Sequence, residues 1–128
     1  MWFGRPCYFG DSIAVGARNP EAAATWYQKT FGLRRFKNSK DGEIWLGSSE
    51  ERHNPNPDVA IVPVRSEEDQ KRLSEHPIIF TNNITKAHNW FSERVPETGP
   101  IQNDSGGNAF FRFRDPDGNE IEVCREPG

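Results

Sequence analysis

At 128 residues the chain is long enough for one domain with a real core and too short for two independent ones. Hydrophobic residues at 34% and charged residues at 27% form an ordinary globular balance, and a net charge of -3 lacks the basic footprint that general nucleic-acid binding needs. Apolar stretches such as Val59–Val64 fall far short of the roughly 20 residues that cross a bilayer, and Met1–Pro6 has no signal-like apolar region, so neither a membrane nor a nucleic acid is an expected partner.

Two cysteines, Cys7 and Cys124, make neither a disulfide framework nor a CxxC metal spacing, so a reduced, cytoplasmic protein is expected. The chain begins with an aromatic-rich segment that includes Trp2, Phe3, Tyr8 and Phe9. Such side chains invite aggregation unless packed, so the segment is expected to cover a cleft or a dimer seam. Ser12–Gly16 reads as a strand. Asn19 to Gly32 then reads as a helix, with an N-capping Asn19, Pro20 at the first helical position and Gly32 at the C-terminal cap. Ala23, Trp26, Tyr27 and Thr30 fall together at helical spacing. Strands follow at Leu33–Phe36, Glu43–Gly47 and Val59–Val64, with a turn at Asp41–Gly42 and a polar, exposed loop at Ser48–Pro57.

The same order then recurs. His76–Thr81 reads as a strand and Asn83 to about Val95 as a helix carrying Ala87, Trp90 and Phe91. A weak strand near Ile101 precedes Ala109–Arg114 and Glu120–Arg125, with turns at Ser105–Gly107 and Asp115–Gly118. Shifted by 64 positions, Ala23 falls on Ala87, Trp26 on Trp90 and Tyr27 on Phe91. Each copy reads β-α-β-β-β, repeat one over about 10–65 and repeat two over about 75–126, within a single α+β domain of residues 1–128.

These residues carry a resemblance. The aromatic pair in the helix after the first strand, and the ending from Phe113 through Asp115, Pro116, Asp117, Gly118 and Asn119 to Ile121, Glu122 and Val123, resemble the glyoxalase/bleomycin-resistance/extradiol-dioxygenase (vicinal oxygen chelate) superfamily. The resemblance implies two βαβββ repeats forming a curled mixed sheet around a cleft, and a homodimer. It also implies a divalent metal (Zn, Ni, Mn or Fe) held by the start of each repeat's first strand and by its last strand. Carried over by position, His76 and Glu122 are the ligands of the second repeat, with Glu122 also a candidate base. Ser12 occupies the position of a His or Gln ligand, and Asp58 falls at the fourth place when 64 is subtracted from 122. A serine hydroxyl is a poor ligand for such metals. His53, in the polar loop, and His88, beside the core face of its helix, do not replace it.

Strand alternation puts Phe110, Arg112 and Arg114 on one face and Phe111 and Phe113 on the other. The resemblance turns Phe110 and Arg112 toward the cleft, with Glu43 and Trp45 lining it from the first repeat. Arg112 there would bind a carboxylate or phosphate through its planar fork. Each residue has a plainer reading beside it. His76 reads equally as a solvated strand-start residue, Glu122 as a surface charge and Asp58 as a strand-start turn residue. Arg112 reads equally as an arginine lying along an exposed sheet, and Trp45 as core. Three functions remain open: a metal-dependent enzyme acting on a small substrate with vicinal oxygens, a metal-free protein that binds a small, anionic ligand or an antibiotic, as bleomycin-resistance proteins do, and a ligand-sensing or partner-binding domain with no turnover.

Overall fold

The computed structural model describes residues 7–9, 12–36, 42–47, 57–71, 73 and 77–126. The elements run β1 (Ile13–Ala17), α1 (Pro20–Phe31), β2 (Arg34–Arg35), β3 (Ile44–Gly47), β4 (Val59–Pro63), α2 (Glu67–Gln70), β5 (Ile78–Thr81), α3 (Ile84–Arg94), β6 (Gln102–Asn103), β7 (Ala109–Arg114) and β8 (Glu120–Arg125). They fall into two compact units: Asp11–Glu75, and Met1–Gly10 together with His76–Gly128.

Each unit is a four-stranded mixed sheet backed by a helix. The strand orders are β1-β4-β3-β2 and β5-β8-β7-β6, and neither sheet closes on itself. In both, the strand before the helix pairs in parallel with the last strand, and the other neighbours are antiparallel. The parallel pair follows from the helical crossover, since parallel neighbours cannot be joined by a tight turn.

The helices start where their caps dictate. The Asn19 side chain accepts the Ala22 amide at 3.2 Å and the Asn83 side chain accepts the Lys86 amide at 3.1 Å, each satisfying a donor of the first turn. Gly32 ends α1 at φ 72°, a left-handed conformation open to glycine, and its amide bonds the Gln28 carbonyl. Ala23, Ala24, Tyr27, Thr30 and Phe31 are buried on the sheet side of α1. Tyr27 stacks on Phe31 over a strand face of Ile13, Val15, Leu46, Val59 and Ile61. In the second unit Ala87 and Phe91 play this part, Phe91 stacking on Phe113 at 4.7 Å above Ile79, Phe111, Ile121 and Val123.

Of each aromatic pair one member is core and the other is not. Tyr27 and Phe91 are buried, while Trp26 and Trp90 are half-exposed, because successive helical residues diverge by about 100°. Within the aromatic N-terminal segment, Tyr8 pairs inside its own unit. Tyr8 makes an antiparallel bridge to Phe80, its amide donating to the Phe80 carbonyl at 2.8 Å and its carbonyl accepting the Phe80 amide at 2.9 Å. The Tyr8 hydroxyl donates to the Glu126 carboxylate. That contact pushes the phenol above its ordinary pKa, chiefly by holding its proton. The short helix α2, which the periodicity does not announce, is capped by Ser66, whose hydroxyl accepts the Asp69 amide. Among the described residues no helix is long and apolar enough to cross a membrane.

Candidate functional site

In the second unit one face of the sheet is spent on α3 and the other, which carries half-buried and exposed side chains, is open among the described residues. The ladder sets that open face out as rungs. One rung runs Tyr8, Phe80, Cys124, Phe110 and Gln102; the next runs Ile78, Glu122 and Arg112; a third pairs Glu120 with Arg114. Tyr8 and Ile78 are the exposed large apolar side chains among the described residues, and both lie on this face. An aromatic rung thus lies beside a charged one on this face.

At its centre the charges are tied together. Arg112 and Glu122 are direct cross-strand partners, and the Arg112 Nε donates to Glu122 Oε1 at 2.9 Å. The Cys124 thiol donates to the other carboxylate oxygen, Oε2, at 3.0 Å. Burial, the Glu122 hydrogen bond and the nearby negative charge push the thiol up to about 12, so it stays protonated and remains a donor at neutral pH. The Arg112 guanidinium also lies 5.0 Å from the Phe110 ring. Its backbone is held from the far side, where the Gly99 amide donates to the Arg112 carbonyl at 2.9 Å. His88 braces that segment by a 2.8 Å hydrogen bond between its Nε2 and the Gly99 carbonyl, and packs edge-on against Phe111. His88 therefore serves the packing.

In the first unit the open face carries Ala14, Ala60 and Trp45 along one rung. Trp45 is half-exposed and its indole N–H donates to Glu43 Oε1 at 2.9 Å, which joins these two candidate ligand-binding residues to each other. Ser12 donates its hydroxyl to the Pro57 carbonyl. Asp58 is buried at the entry to β4, its amide donating to the Leu46 carbonyl at 2.8 Å and its carbonyl accepting the Ile13 amide at 2.9 Å.

The two ladders can be compared rung by rung. Ala14 pairs with Ala60 as Ile78 pairs with Glu122, and Trp45 pairs with Ala60 as Arg112 pairs with Glu122. The place of Glu122 is thus taken in the first unit by Ala60, and the place of Arg112 by Trp45; Asp58 stands where Glu120 does. The constant 64-residue shift holds through the helices and fails in the strands after them, because the intervening loops differ in length. His76 lies outside the described residues.

Metal coordination requires lone pairs that are available. Both Glu122 oxygens already accept hydrogen bonds, one from a guanidinium, and the equivalent place in the first unit is an alanine. The Ser12 hydroxyl is committed to a backbone carbonyl. Among the described residues no group of three or more His, Cys, Asp or Glu side chains converges as a metal would need. The described donor set does not fit a four-ligand centre.

Paired βαβββ units with helices on one face of each open sheet define the glyoxalase-like class of α+β proteins. The family model for the Glyoxalase/Bleomycin resistance protein/Dioxygenase superfamily matches residues 11–123, and the chain belongs to that superfamily. Solved structures agree on the fold. A lactoylglutathione lyase from Agrobacterium tumefaciens superposes with a TM-score of 0.60 at 16% identity, over 89% of this chain and 90% of that one. TioX from Micromonospora sp. ML1 gives 0.64 at 13% identity, over 92% and 96%. The bleomycin-binding protein of Streptomyces verticillus, solved with copper(II)-bleomycin, gives 0.65 at 15% identity, over 94% and 98%. No curated protein matches the chain in sequence.

Proposed function

We propose that this protein binds a small organic ligand without a metal of its own, and that the open face of the second sheet is its ligand surface. The observation that carries this reading is the state of Glu122. A carboxylate that accepts a guanidinium on one oxygen and a thiol on the other is already charge-paired, and a metal would have to compete with Arg112 for it. The superfamily includes binders as well as enzymes, and a similar fold holds copper(II)-bleomycin in the S. verticillus protein.

The metal-dependent enzyme, with His76 and Glu122 holding Zn, Ni, Mn or Fe and acting on vicinal oxygens, is the competing reading, and Asp58 would have to complete its shell. Trp45 and Glu43 belong to the proposal as ligand contacts on the first sheet's own open face, and a homodimer belongs to it as the assembly. Titration with Zn, Ni, Mn and Fe(II), followed by elemental analysis of wild type and of His76→Ala, tests the choice. The expected result is no stoichiometric metal in either protein. Near-stoichiometric metal in the wild type, lost in His76→Ala, overturns the reading in favour of the enzyme. Analytical ultracentrifugation gives the oligomeric state.

A further inference from the structure

Which ligand this surface takes follows from what its central ion pair has left to give. Glu122 has both oxygens engaged, by Arg112 Nε and by the Cys124 thiol. Arg112 spends only its Nε on that pair. Among the described residues neither of its terminal nitrogens meets an acceptor, and its side chain is 47% exposed. A guanidinium fixed along its Nε edge presents its terminal N–H groups as a preset fork, the geometry that suits a carboxylate. The free donors of the pair are thus the terminal N–H groups of Arg112, which suit an anion. Glu122 and Cys124 act as positioning residues that hold the fork in place.

The neighbouring rung sets the rest of the molecule. Phe110, Phe80 and Tyr8 lie one rung from Arg112 on the same face, and adjacent same-face rungs are separated by two residues of strand, about 7 Å. A ligand bridging them needs an aromatic ring joined to its carboxylate by a short spacer. We infer that the open face of the second sheet binds an arylalkanoic acid, the carboxylate on the terminal nitrogens of Arg112 and the ring against Phe110 and Phe80. This inference rests on the metal-free reading above and names the ligand class for it.

The probe is 3-phenylpropionate, with 3-phenylpropionamide as its uncharged counterpart and propionate as the acid without a ring. Binding is measured by calorimetry and by the side-chain Nε–Hε resonance of Arg112 in the full-length protein. The expected result is that 3-phenylpropionate binds more tightly than either control and moves the Arg112 resonance. Arg112→Met should weaken it by roughly tenfold or more, the scale of a lost charge-assisted hydrogen-bond pair. Arg112 lies on the sheet face away from α3 with its side chain exposed, and circular dichroism checks that each variant folds.

Glu122→Gln separates the two readings. It removes the competing negative charge, so it should tighten the acid severalfold; a metal ligand replaced in this way would weaken binding that runs through a metal. Equal binding of the acid and its amide, or unchanged binding in Arg112→Met, overturns the ligand class while leaving the metal-free reading standing. Stoichiometric metal that Glu122→Gln removes overturns both.

Discussion

Two aspartates in the chain do the same thing, and of these Asp115 is named by its turn sequence. Asp104 and Asp115 each open a five-residue hairpin loop that closes on an asparagine, Asn108 or Asn119, through a glycine at positive φ, Gly107 or Gly118. In each loop one carboxylate oxygen accepts the amides two and four residues on, and the other accepts the asparagine side chain. The Asp-Pro-Asp-Gly sequence announces the second loop; the first, Asp-Ser-Gly-Gly, is the same device in plainer letters. Burial separates them, for Asp115 is buried and Asp104 exposed. Replacing Asp115 by Ala strands two backbone donors and should cost about 2–3 kcal/mol in urea denaturation. Asp104 is held below the ordinary carboxylate value of 3.8, chiefly by the Asn108 amide and then by its side chain. Its contribution is therefore complete above that value and fades as pH falls through the lower folded one. Asp104→Asn should flatten the decline in stability below about pH 4 relative to wild type, measured by thermal melts across the acid range.

At the scale of elements, helices were easier to read than sheet registers. Caps are local, so Asn19, Pro20, Gly32 and Asn83 marked the helix ends to within a residue. The strands Ala109–Arg114 and Glu120–Arg125 were also legible to the residue, and alternation put Phe111 and Phe113 on the face opposite Arg112, the face that is buried. Which residue faces which across strands depends on loop lengths between them, and no periodicity carries that. For this reason Asp58, read by a constant shift as the counterpart of Glu122, lies a rung away from that place, and Ala60 occupies it. The ion pair of Arg112 with Glu122 was hidden for the same cause, although both residues were singled out separately. A tight approach in the first sheet was equally invisible: a Cβ at Gly16 would lie 2.6 Å from Val64 Cγ2 and 2.9 Å from Leu73 Cδ1. Gly16→Ala should destabilise by about 1–3 kcal/mol through overpacking, and adding Leu73→Ala should return part of that loss in the same denaturant titration.

For the molecule as a whole, the chain divides into two compact units, and the N-terminal segment goes with the second. Tyr8 joins the unit that the rest of its chain segment reaches only at the other end of the sequence. It covers the outer edge of β5, whose Phe80 amide and carbonyl are both paired to it. An unpaired strand edge is an invitation to foreign strands, and this bridge blunts it. Deleting Met1–Phe9 should speed hydrogen exchange at the Phe80 amide well beyond the change at Val123, which sits inside the sheet. Equal protection at Phe80 with and without the segment would show that the bridge is dispensable.

The same bridge sets an order in time. During synthesis Tyr8 emerges long before Phe80, and everything needed for the first sheet is made in between. All the strands of the first sheet exist before β5 is made, but Tyr8 has no Phe80 to pair with until β5 arrives. Closing that contact spans most of the chain, so its loop-closure entropy is offset only after the second sheet exists to receive it. Tyr8, made before the whole of the first sheet, is thus placed only after it.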